Sequence, residues 1–67
     1  MEIVPMGLYR YIVEGERETE AAAELDRRVD AISRTYHTSE ESHLMDLADT
    51  RADIEREFDV KIKAKVI

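Results

Sequence analysis

The chain has no cysteine, asparagine, glutamine or tryptophan, one proline and two glycines. Without cysteine, neither a disulfide nor a thiolate metal site can staple the fold. That absence suits a reducing compartment, and the expected location is cytoplasmic. No apolar run approaches ~18 residues, so no membrane-spanning helix is expected. The opening stretch "MEIVPMGLYRY" has neither a basic leader nor a long apolar core, so it does not read as a signal peptide. The missing amides and tryptophan are read as compositional bias.

What is present is short and acidic. Sixty-seven residues allow one domain, residues 1–67. A domain of this size buries only about 60% of its unfolded surface, so its stability is marginal. With no covalent staple, oligomerisation is the remaining common device, and a homodimer is expected. Charged residues make up 39% of the chain, yet its apolar residues are periodic, which argues for a folded domain.

The net charge of −6 is unevenly placed. Residues 14–59 hold fifteen acids against six arginines, a balance of −9. All three lysines, Lys61, Lys63 and Lys65, lie in the closing "KIKAKVI" and leave residues 60–67 at +3. Bulk acidity disfavours non-specific binding to phosphate backbones, although a local basic face survives.

Aromatic and β-branched residues between Gly7 and Gly15 predict a strand over residues 7–14. Pro5 argues against an earlier start, which makes residues 1–6 a loose arm or a short edge strand. From Glu16 the period changes. Ala22, Leu25, Val29, Ile32 and Tyr36 form a three-four stripe, and glutamates crowd the first turn, so a helix is predicted over residues 16–36. Thr38 and Glu41 read as a capping box for a second helix over residues 39–58, with Leu44, Leu47, Arg51, Ile54 and Phe58 on its stripe. The short junction predicts an antiparallel helical hairpin. "DVKIKAKVI" alternates, with Val60, Ile62, Ala64 and Val66 on one face and the lysines on the other.

The expected fold is therefore a small α+β domain, β-α-α-β, with the hairpin packed on a two-stranded antiparallel ribbon. Pairing Glu14 with Lys61 sets Tyr11 opposite Ala64 and Tyr9 opposite Val66, large against small. It also sets Arg10 opposite Lys65. Leu25, Val29, Ile32, Leu47, Ile54 and Phe58 are the expected core. In this register Leu8 and Ile12 join Arg10 and the lysines on the outer face. The first strand then has apolar residues on both faces, so the sheet is expected to be extended or covered in a dimer.

Candidates for chemistry are few. Glu40 and His43, with His37 nearby, have metal-ligand residue types, but a di-iron site needs a second such pair and further carboxylates. Asp46, Asp49 and Asp53 recur at helical spacing, where most acidic faces are simply solvated. No nucleophile with an activating base and no phosphate-binding glycine loop appears, so no catalytic residue, metal or cofactor is expected. Arg51 interrupts an apolar stripe and must pair or snorkel, with Asp26 or Asp30 as carboxylate, or else face a subunit interface. Alternate lysines are a familiar guard against edge-to-edge aggregation. The functional alternative is a contact face made of Leu8, Arg10, Ile12, Lys61, Lys63 and Lys65.

These features favour a non-catalytic protein-interaction module, such as a dimeric adaptor, inhibitor or antitoxin-like protein. The alternative is a small nucleic-acid-binding regulator that uses the basic ribbon.

Overall fold

Why two strands at opposite ends of the chain meet is settled by the helices between them. The computed structural model describes residues 1–4 and 9–66. Five elements follow one another: β1 (Glu2–Ile3), β2 (Tyr9–Glu14), α1 (Glu18–Ser33), α2 (Glu40–Phe58) and β3 (Lys61–Val66). The two helices pack as a hairpin and return the chain to the end of β2, where β3 begins.

The sheet has three antiparallel strands in the order β1-β2-β3. The β2–β3 register is the expected one, from Glu14 opposite Lys61 to Tyr9 opposite Val66. The third strand corrects the two-stranded ribbon. Glu2 and Ile3 pair with Ile12 and Tyr11, and Met1 extends the ladder by exchanging both backbone bonds with Val13, at 2.7 and 2.8 Å. The first segment is thus a short edge strand. Residues 7 and 8 of the expected first strand lie outside the described residues.

One face of the sheet carries the core. Tyr11, Val13 and Val60 are buried against Ala21, Ala22, Leu25 and Val29 of α1 and Leu47 and Ile54 of α2. Ala64 opposite Tyr11 leaves room for the ring. Consecutive alanines at 21 and 22 let α1 approach the sheet closely. Ile32 and Phe58, expected at the centre, are only half-buried and pack at its rim. Arg17 lies over the Phe58 ring, 4.6 Å from its centroid, and shields it.

The helix ends differ from the expected ones in instructive ways. The first helix ends at Ser33, and Arg34 and Thr35 close it with bonds back to Asp30, Ala31 and Ile32. Tyr36 falls beyond the helix and is 87% exposed. The cap of α2 is Ser39, not Thr38. Its hydroxyl accepts from the Ser42 amide at 3.2 Å. The third helical position is then Ser42, so Glu41 has no capping-box role. At the other end Asp59 adopts the left-handed conformation, φ 53°, that turns the chain into β3.

The helices are longer than the sheet. Nineteen residues of α2 span roughly 28 Å, against roughly 20 Å for a six-residue strand. Because α2 and β3 join at Asp59 and Val60, the overhang falls at the opposite end. There Leu44 and Met45 remain exposed, at 38% and 59%. No Cα of α2 comes within 8 Å of one in β2. Large side chains, not backbones, fill the space between them.

Candidate functional site

Among the described residues strand β3 has a neighbour on one side only. In an antiparallel pair, residues alternate between those that bond the partner strand and those that point away from it. Two observations fix the phase here. Val13 bonds towards Met1, so its pair with Ile62 is a non-bonded one. The Ile62 amide in turn donates to the Glu55 carboxylate on α2, at 3.0 Å. Lys61, Lys63 and Lys65 therefore bond β2, and Ala64 and Val66 direct their backbone groups to the outer edge. Glu55 occupies the first donor of that edge and leaves the remainder without a strand partner.

The side chains of the same strand alternate between faces. Lys61, Lys63 and Lys65 are exposed on the outer face, and none makes an ion pair within 4.0 Å among the described residues. Beside them on β2 stand Glu14, Ile12 and Arg10. Arg10 reaches Glu2 of β1 at 3.5 Å. Of the expected contact face, the fold thus brings together Arg10, Ile12, Lys61, Lys63 and Lys65, and Leu8 lies outside the described residues. Among the described residues the outer face of β2 holds Arg10, Ile12 and Glu14, with Ile12 half-buried.

Arg51 does not find the partners expected of it. Asp30 pairs with Arg34 at 3.2 Å, and among the described residues no carboxylate lies within 4.0 Å of Arg51. The guanidinium lies 6.0 Å from the Tyr11 ring centroid instead. Burial pushes the Tyr11 phenol above its ordinary pKa, and the nearby Arg51 charge opposes that rise. Tyr9, Tyr11, Leu44, Leu47 and Arg51 enclose a cleft of about 240 Å³ under the overhang of α2. Its parts were visible in the sequence, but its location depends on the mismatch in length between helix and sheet.

The histidines meet at the same end of the molecule. His37 bonds Asp46 at 2.7 Å, and the His37 and His43 rings lie 4.9 Å apart. His43 Nε2 is buried with no hydrogen-bond partner among the described residues. Asp53 is engaged by Arg56. Among the described residues no group of three or more histidine and carboxylate side chains is arranged to hold a metal ion. Among the described residues no helix is long and apolar enough to cross a membrane.

In comparisons with known proteins, no family model matches the chain, nor does any curated protein or solved structure.

Proposed function

We propose that the chain is a non-catalytic protein-interaction module that takes an extended acidic strand onto the free edge of β3. The carrying observation is that, among the described residues, the outward backbone groups of Ala64 and Val66 have no strand partner and the three lysines beside them have no ion pair. Strand addition to an open edge uses main-chain bonds for affinity and alternate side chains for specificity. An incoming strand with acids at every second position sets them beside Lys61, Lys63 and Lys65. Its other residues fall beside Ile62 and Ala64 on the helix-covered face. Each cross-strand charge pair contributes roughly 0.2–1 kcal/mol, and less at high salt.

A second copy is a poor occupant of this edge. Any pairing of β3 with itself that keeps the faces aligned sets lysine against lysine. A dimer through the outer faces has one half-buried isoleucine, Ile12, as its apolar contact among the described residues of β2. At this edge strand capture is therefore preferred to self-pairing. Lys61, Lys63, Lys65 and Arg10 on one face favour a second reading, a small nucleic-acid-binding regulator, which the net charge of −6 opposes.

The test is titration with an alternating acidic–apolar peptide, followed by backbone amide shifts. Shifts centred on Ala64 and Val66 are expected. Ala64→Pro removes an edge donor that β2 does not use, so it should abolish binding and leave the helices intact. Lys63→Glu should weaken binding. Equal binding by Ala64→Pro would defeat the strand-addition reading. Tight, strongly salt-dependent binding of an oligonucleotide would favour the regulator. Halving of the mass of Ile12→Glu relative to wild type in sedimentation would favour the dimer.

A further inference from the structure

The cleft under α2 contains one charged side chain, Arg51, that has no carboxylate partner among the described residues. Arg51 sits on the apolar stripe of its helix, one turn from Leu47 and two from Leu44. It is half-buried, and no carboxylate of the described residues pairs with it. Its guanidinium stands 6.0 Å from the Tyr11 ring centroid, and its planar fork remains available to an incoming anion. The walls around it are apolar and aromatic: Leu44, Leu47, Tyr9 and Tyr11. An apolar concavity with one convergent charged group is the usual composition of a small-ligand site.

We propose that this cleft binds a small apolar monocarboxylate, with its carboxylate on the Arg51 guanidinium and its body between Leu44, Leu47 and the two tyrosine rings. The planar guanidinium fork matches a carboxylate in bidentate fashion. One arginine and a net charge of −6 favour a monoanion over a phosphate ester or a polyanion. The volume of about 240 Å³ lies just under the range of drug-sized sites. It holds a ligand on the order of ten non-hydrogen atoms, counting roughly 30 Å³ for each water-sized group. The cleft is separate from the β3 edge, so the inference does not depend on strand capture.

So small a ligand binds weakly, which makes amide chemical-shift titration the suitable assay. The probe is 3-phenylpropionate, and its neutral counterpart is 3-phenyl-1-propanol. The carboxylate should shift Tyr9, Tyr11, Leu44, Leu47 and Arg51, and the alcohol should bind about tenfold more weakly or worse. Arg51→Met, with helicity checked by circular dichroism, should lose about tenfold in affinity for the acid and change little for the alcohol. Arg51→Lys should fall between. Lys63→Ala should bind the acid like wild type. If Arg51→Met fails to fold, the alcohol comparison and Arg51→Lys still decide. Equal binding of acid and alcohol, shifts mapping to the lysine face, or no shifts at several millimolar ligand would each overturn the assignment.

Discussion

Gly15 is the position at which a single methyl group should do most damage for its size. It closes the turn from β2 into α1 with φ +150°, a conformation that side-chain-bearing residues rarely adopt. A Cβ there would lie 2.8 Å from Val60 Cγ1, 3.2 Å from the Asp59 carbonyl oxygen and 3.2 Å from Val60 Cα. Gly15→Ala therefore meets two costs. The backbone conformation costs on the order of 1–3 kcal/mol. Overpacking against Val60, which is buried, costs about 1–3 kcal/mol more. The less flexible unfolded chain offsets about 0.4–1 kcal/mol. The expected net loss is about 1–6 kcal/mol, against a total stability of about 3–10 kcal/mol for a domain of this length. Urea denaturation followed by circular dichroism measures it. Val60→Ala removes the nearest atom, so the double variant should recover the Cγ1 share of the steric cost and leave the backbone contacts and the backbone conformation. A Gly15→Ala midpoint within about 0.5 kcal/mol of wild type would refute the turn geometry, and with it the contact that holds β2 in register with β3.

Ser39→Ala should cost about 1 kcal/mol by removing the cap of α2, whereas Thr38→Ala should fall within about 0.5 kcal/mol of wild type; the reverse order in chemical denaturation would return the cap to Thr38. Asp59→Gly should stabilise by up to about 1 kcal/mol, because glycine holds the left-handed turn without a Cβ penalty, and a lowered denaturation midpoint would count against that. Phe58→Ala should cost about 2 kcal/mol, below the 3–5 kcal/mol of a fully buried ring, since Phe58 lies at the rim. The Glu24 carboxyl is held below its ordinary pKa by hydrogen bonding to Arg28, despite opposing desolvation. Its unfolded form therefore binds protons first, so its contribution is present above the usual glutamate range and lost as pH falls through the folded value. Urea midpoints across the acid range should fall less steeply for Glu24→Gln than for wild type, and identical slopes would remove Glu24 from the account.

Much of the fold was legible because it rests on periodicity. Alternation in "KIKAKVI" and the three-four stripes led to β3, α1 and α2, and large-against-small matching of Tyr11 with Ala64 led to the register. What escaped was set by tertiary packing. Residues 1–6 read equally as a loose arm or a short edge strand, because Glu2 and Ile3 are so short a run and Pro5 follows closely. Their place comes from bonds that β2 offers on its second side. The capping serine was ambiguous because "HTSEES" offers adjacent hydroxyls, and only the helix phase selects Ser39. The lysine face was visible in the sequence. The free backbone next to it, and the unpaired Arg51 in its cleft, follow from strand order and from a helix that outruns its sheet.

Amide hydrogen exchange along β3, with and without the alternating acidic peptide, tests the edge most directly. In the free protein the Lys63 and Lys65 amides, bonded to β2, should exchange slowly, and the Ala64 and Val66 amides should exchange fast. Addition of the peptide should protect Ala64 with little change at Lys63. Fast exchange at Ala64 that persists at saturating peptide, or protection of Ala64 and Val66 in the free monomer, would contradict an edge left open for a partner strand.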